Sequence, residues 1–262
     1  MRNMRSFIIV GIFFLFLGGA FIIYFSQTEE KGVFILEYHR INDQDDDEYT
    51  ITTKEFKEQM EYLREQGYKT ISFMDFVRAK KYGEKLPEKS VILTFDDGYE
   101  DNYTEVMPIL AGYGMKGTVF IISNRVGLEG YLTWEQLKEM QTANIELGGH
   151  TANHLPLASL PPQKIDDELR LSKLLMEWNG LQTIYFFSYP NGSYNDTVIK
   201  DLRKNGYLTA VTGTPGVNTF ATDPYRLQRT YIPRSKLGLL DFKLRLLKSR
   251  LYTKFNIRQN II

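Results

Sequence analysis

Two carboxylates stand side by side at the end of an apolar run, Val91-Ile92-Leu93-Thr94-Phe95-Asp96-Asp97-Gly98. Burying one charge is costly, and burying two of the same sign costs more. The arrangement makes sense if the two have different tasks. One binds a metal whose charge offsets its burial, and the other stays free beside the metal's water as a general base. Gly98 permits the tight turn that aims both inward. The three histidines of the chain, His39, His150 and His154, also stand at the ends of apolar runs. His150 and His154 have ligand spacing, but Pro156 disfavours helix at Leu155, so a loop rather than a helix is expected to turn both inward. Two imidazoles with one carboxylate suit Zn²⁺ with an open position for water.

The elements that must position these groups alternate. Strands are expected at 33–38, 90–95, 117–122, 145–149, 183–189 and 208–213, mostly as continuous apolar runs of the kind covered on both faces. Helical patterns lie between them at 53–66, 133–141, 164–178 and 195–204, the second opening with a capping box at Thr133-Trp134-Glu135-Gln136. This alternation predicts a parallel α/β fold whose active site lies at the carboxyl ends of the strands. The acidic run 43–48 is expected to be a solvated loop.

At these residues the sequence resembles the polysaccharide deacetylase family, also called carbohydrate esterase family 4. TFDDG, HTANH and the apolar strand leading to SYPNG carry the resemblance, which runs from about Val33 to Arg234. It implies a deformed (β/α) barrel that removes acetyl groups from N-acetylglucosamine residues of a polymer with a divalent metal, commonly Zn²⁺, with Co²⁺ or Ni²⁺ as alternatives. It further implies that Asp96 is the base and that Asp97, His150 and His154 hold the metal. Two departures stand out. The third motif, Phe187 to Gly192, has no arginine, and no histidine follows His154 to serve as the usual acid. Tyr38-His39-Arg40-Ile41 resembles the branch acting on poly-β-1,6-N-acetylglucosamine, whose acid comes from the first strand, so His39 is the expected acid. Arg229 is a candidate for tuning the base in place of the missing arginine. Asn191, through a nearby backbone N–H, is expected at the oxyanion. Tyr99, Tyr189 and Tyr194 are candidates for stacking on sugar rings, as are Tyr103 and Trp134, although core packing is the commoner use of such residues.

Composition bounds the rest. The 262 residues carry 32 Lys+Arg against 32 Asp+Glu and no cysteine. That balance lacks the basic excess of a nucleic-acid binder, and disulfides, thiolate ligands and cysteine nucleophiles are excluded. Residues 7–25 are uncharged and apolar. As a helix they span roughly 28 Å, close to a bilayer core. Arg2 and Arg5 precede the run, so the chain is expected to cross once with its main domain outside the cytoplasm; a cleaved signal peptide is the other reading. The expected divisions are a cytoplasmic stub and anchor at 1–26, a catalytic domain at 27–235 and a basic C-terminal helix at 236–262. In that last segment seven Lys/Arg face one Asp, and residues 237, 240, 244, 247 and 251 fall on one apolar helical face. The face either closes the barrel or lies on anionic lipid.

The expected function is N-deacetylation of an extracellular polysaccharide, most simply poly-β-1,6-N-acetylglucosamine, in contact with the machinery that makes or exports it. Peptidoglycan or chitooligosaccharides are alternative substrates, and a membrane-anchored glycan-binding protein without catalysis is the non-enzymatic alternative. A glycoside hydrolase also uses paired carboxylates, but these stand about 5–9.5 Å apart and need no histidine pair.

Overall fold

The computed structural model describes residues 32–257. The apolar run 7–25 and the last five residues lie outside them, and with them the expected anchor and cytoplasmic stub. Among the described residues no helix is long and apolar enough to cross a membrane.

The strands are β1 (Phe34–Tyr38), β2 (Arg40–Ile41), β3 (Thr50–Ile51), β4 (Lys69–Thr70), β5 (Ser90–Phe95), β6 (Gly117–Ile121), β7 (Ile145–Gly149), β8 (Phe186–Ser188), β9 (Thr209–Val211) and β10 (Thr230–Tyr231). The helices are α1 (Thr53–Glu65), α2 (Phe73–Tyr82), α3 (Met107–Tyr113), α4 (Trp134–Thr142), α5 (Pro162–Trp178), α6 (Asp196–Lys204) and α7 (Leu239–Lys254). The main sheet is parallel throughout and runs β10-β1-β5-β6-β7-β8-β9. β4 pairs with the start of β5, on the side where β6 pairs with its end. A bridge between Val211 and Leu227 draws the two edges of the sheet together, so it curls into a deformed barrel.

Helix starts follow local sequence. Thr52, Ser72 and Thr133 each close a capping box with Glu55, Asp75 and Gln136, two orphan N–H groups being satisfied at each helix start. The expected strands at 183–189 and 208–213 are shorter in the structure, because their flanks leave the sheet for turns. The π turn at Asn102–Val106, which leads into α3, was not legible in the apolar pattern.

Strand alternation sorts side chains into two cores. Phe34, Leu36, Tyr38, Leu93 and Phe95 point outward and pack with Phe56, Met60, Leu137, Leu169 and Leu202 of the surrounding helices. Val33, Ile35, Ile92, Phe120, Phe186 and Val211 belong to the inner core, which Phe73 and Phe76 of α2 plug. The plug is tied at its helix start. Glu146 on β7 accepts the backbone N–H groups of Phe73 and Met74 at 2.8 and 3.1 Å.

The C-terminal helix corrects one expectation. Its buried residues are Phe242, Leu246 and Ser249, held by Tyr62 and by a 2.7 Å Thr230–Ser249 hydroxyl contact. The leucines at 237, 240, 244 and 247 face solvent. The helix does pack on the barrel, but through Phe242, Leu246 and Ser249, a different stripe from the apolar row read in the sequence.

Candidate active site

The inward rows of the strands continue to the carboxyl end of the barrel and change there from apolar to polar. Val33 and Ile35 are followed by Glu37, Ile92 by Thr94 and Asp96, and Phe186 by Ser188. Strict alternation would send Asp97 to the outside. Asp97 instead takes φ 77°, and Gly98 follows at φ 78°, so the chain turns within one residue and both carboxylates meet one cavity. A left-handed backbone at a non-glycine residue is strained, and here it solves a placement problem. A side chain at Gly98 would be strained at this φ, and its Cβ would press on Ile121 Cδ1 at 3.0 Å.

The cavity measures about 430 Å³. Glu37, His39, Asp96, Asp97, Tyr99, His150, His154, Tyr189, Asn191, Arg229 and Tyr231 line it, with Tyr49, Gly192 and Gly213. A cavity of about 530 Å³ at the amino ends of β6, β7 and β8 lies away from these groups. Three buried polar atoms at the carboxyl-end site lack a hydrogen-bond partner: Glu37 Oε2, His39 Nδ1 and Asp97 Oδ1.

Asp97, His150 and His154 converge as a donor set. Both imidazole Nε2 atoms stand 3.5 Å from Asp97 Oδ1. Ligands about 2.1 Å from a tetrahedral ion would be separated by roughly 3.4 Å, so the set fits a divalent cation without rearrangement. His150 Nδ1 donates to the Ser188 carbonyl at 2.8 Å, which leaves the Nε2 lone pair facing the cavity. His154 stands in a loop at φ 60°, as expected from Pro156, with its N–H bonded to Thr151 Oγ1. Burial and the neighbouring His150 push its pKa down to about 4, so it is neutral, the form that binds a metal.

Asp96 is held differently. Arg229 reaches it with two 2.8 Å bonds, Nη1 to Oδ1 and Nη2 to Oδ2, and Ser188 Oγ donates to Oδ2 at 2.9 Å. Burial alone would raise this carboxyl, but the Arg229 guanidinium overcomes it and holds Asp96 well below the usual range. Arg229 is itself buried and bonded to the Thr212 carbonyl. The arginine absent from the Phe187–Gly192 segment is thus supplied from just ahead of β10, against the same carboxylate.

His39 lines the same cavity, grouped with Glu37 and Asp96 rather than with the donor set. Tyr49 and Tyr231 hold its ring edge-on, with centroids at 5.2 and 5.8 Å. Ligand-type atoms of His39, Glu37 and Asp96 lie within 4.8 Å of one another. Glu37 is the charged residue that sequence reasoning passed over. Its Oε2 stands 3.2 Å from Arg229 Nε, and burial raises its pKa against the pull of that arginine. A lone glutamate on the inward row of VFILEY, two residues before His39, was the available signal.

The aromatic candidates separate. Tyr99 lines the cavity, stacked on Tyr131 at 5.2 Å with the Arg40 guanidinium over its ring. Tyr189 is only 1% exposed and donates its hydroxyl to the Tyr225 carbonyl, so it is wall rather than a stacking face. Tyr194 lies outside the cavity lining and stacks on Tyr189 at 4.7 Å. Tyr103 and Trp134 pack against the helix-side core. Asn191 borders the cavity at φ 54°. The acidic run is a loop with structural bonds as well, Asp45 pairing with Arg40 at 2.7 Å.

Comparison with known proteins agrees with this geometry. The family model for polysaccharide deacetylase matches residues 83–210. The Bacillus subtilis (strain 168) protein YxkH, assigned by name to the polysaccharide deacetylases, is 37% identical over 204 residues, 78% of this chain and 72% of that one. The poly-β-1,6-N-acetyl-D-glucosamine N-deacetylase of Staphylococcus epidermidis is 27% identical over 79% of this chain and 81% of its own. Among solved structures, the Streptococcus pyogenes deacetylase PplD in complex with acetate superposes with a TM-score of 0.74 at 29% identity, covering 80% of this chain and 97% of that one.

Proposed function

This chain belongs to the polysaccharide deacetylase family and is a polysaccharide N-deacetylase; from that premise we propose that it acts with a divalent metal on extracellular poly-β-1,6-N-acetylglucosamine. The observation that carries the reading is the pair of adjacent carboxylates in two environments, Asp96 clamped by Arg229 and Asp97 facing the imidazoles of His150 and His154. Asp97, His150 and His154 hold the cation, Zn²⁺ by the chemistry of the donor set. When bound, it supplies a Lewis acid that polarises the acetamide carbonyl and acidifies water.

The chain's own residues divide the proton transfers. Asp96, kept ionised by Arg229, accepts the proton of the attacking water. The backbone around Asn191 faces the developing oxyanion, where an N–H donor is worth most. His39, protonated, gives its proton to the departing sugar amine, and acetate and a free glucosamine residue result. Glu37 stands 3.2 Å from Arg229 Nε and within 4.8 Å of His39, so it borders both the base's clamp and the acid. The aromatic surround of His39 and the stacked Tyr99 offer walls for pyranose rings.

The resemblance of the relative from Staphylococcus epidermidis, together with His39 on the first strand, supports the β-1,6-linked substrate. The apolar run at 7–25 supports a single-pass anchor with the domain outside the cytoplasm, where the polymer emerges. The test is acetate release by the full chain in detergent, stripped of metal and then given Zn²⁺, Co²⁺ or Ni²⁺. Metal-dependent release from β-1,6-linked N-acetylglucosamine oligomers, faster than from β-1,4-linked chitooligosaccharides or peptidoglycan, is expected. Equal or faster release from either of those would overturn the substrate assignment, and glycan binding without acetate would overturn catalysis.

A further inference from the structure

The outer face of α7 is unusually apolar for a helix that is already docked. Leu237, just ahead of it, and Leu240, Leu244 and Leu247 are 42–58% exposed. Their spacing of three and four residues places them in one row. Phe255 and Ile257, beyond the helix end, are also exposed, at 58% and 45%. Four large apolar side chains in one row, with two more exposed beyond the helix end, exceed the scattered surface leucines of an ordinary domain. The row is not loosely held. The opposite stripe is fixed by Phe242, Leu246 and Ser249, and Val217 N–H bonds to Thr253 Oγ1 at 2.7 Å.

Charge borders the row. Exposed Lys243 and Lys248 flank it, one on each side by helical periodicity, and Lys236 precedes it. From residue 236 onward seven Lys/Arg face one Asp, although the whole chain is balanced at 32 and 32. Asp241, the one acid, is neutralised by Arg245 at 2.5 Å. An apolar row with a cationic margin matches the boundary of an anionic bilayer, where leucines enter the acyl layer and lysines meet headgroup phosphates. A second copy would bring two like-charged margins together, which disfavours that occupant.

We propose that α7 lies on an anionic lipid surface through Leu237, Leu240, Leu244 and Leu247, a membrane contact separate from the run at 7–25. Such a contact would limit the tumbling of the domain on its tether and fix how the cavity meets polymer at the cell surface. The inference does not depend on the substrate.

Because the chain has no native cysteine, single labels are specific. Leu244→Cys and, in a separate protein, Leu247→Cys in the full chain would carry an environment-sensitive fluorophore, with exposed Lys81→Cys on α2 as reference. Each protein is reconstituted in phosphatidylcholine vesicles with or without 30% phosphatidylglycerol. Blue-shifted emission and iodide quenching reduced roughly threefold or more at both leucine sites is expected, with the effect weakened by 0.5 M NaCl. Replacing Lys236, Lys243 and Lys248 by Glu should abolish it. Emission and quenching equal to the Lys81 site in anionic vesicles would overturn the proposal. So would protection that appears without lipid and grows with protein concentration, the signature of a second copy. Acetate release by the same labelled proteins reports that they are folded.

Discussion

At the scale of residues, the candidate site gives two neighbouring carboxylates opposite surroundings. Asp96→Asn should lower kcat by about 10²–10⁴ while leaving metal content near wild type, because the amide cannot take the water's proton; an equal loss of bound metal would instead mark Asp96 as a ligand. His39→Gln should lower turnover of acetamide substrates by a similar factor. It should spare an aryl acetate, whose leaving group needs no proton, and equal losses on both would remove the acid role. Arg229 keeps Asp96 ionised, and the sign of its removal follows. Without the guanidinium the carboxyl rises toward the value that burial favours, so in Arg229→Gln the acid limb of kcat/KM should move to higher pH. The variant should also be less stable by about 3–5 kcal/mol, since a buried carboxylate loses its partner. A pH profile with an unmoved acid limb would show that the clamp is structural only.

At the scale of elements, the close contact of β6, β7 and β8 decides which residues are allowed. A Cβ on Gly148 would lie 2.4 Å from the Phe120 ring and 2.9 Å from the Phe186 carbonyl oxygen. The ring is fully buried, and the carbonyl belongs to the next strand. Gly148→Ala should therefore destabilise the fold by about 1–3 kcal/mol, read by denaturant unfolding. Glu146, one turn of the pleat away on the same inward row, sets a pH dependence. Burial raises its pKa from 4.5 to about 7, against the two backbone N–H groups it accepts. The folded state then holds this proton more tightly than the unfolded chain, so its contribution to stability is complete below pH 4.5 and is lost as pH rises toward 7. The loss should be about 1–2 kcal/mol, discounted because the side chain keeps some contact with water. Glu146→Gln should flatten this fall without altering acetate release.

At the scale of the whole molecule, one end of the barrel is plugged by α2 and the other is left open as the cavity. The candidate donor set is assembled from the ends of two strands distant in sequence, so metal binding there would couple to folding. Zn²⁺ in excess should raise the melting temperature of the wild-type chain, with about 4 kcal/mol of added stability at a thousandfold excess over Kd. His150→Ala should lose most of that increment and nearly all acetate release. An undiminished thermal shift in this variant would place the cation elsewhere.

Much of this was legible in the linear chain. Asp96, Asp97, His39, His150 and His154 stand at strand ends, and continuous apolar runs with capping boxes between them mark the elements that carry them. Those signals are local, set by side-chain periodicity and by hydrogen bonds three residues apart. The partner of Asp96 was legible only as a lone arginine candidate, because a bidentate pair spanning 133 residues leaves no periodic trace. Glu37 was hidden in an apolar run until the barrel curled its inward row toward His39. The outcome for α7 has the same cause: its sequence offers apolar residues on more than one face, and only the shape of the barrel beneath selected Phe242 and Leu246 for burial. The chain's own pattern thus determined the alternating fold and the candidate groups that meet in the cavity. Long-range packing decided which charges pair, which tyrosines are wall and which leucines remain outside, because those choices depend on surfaces that exist only once the sheet has closed.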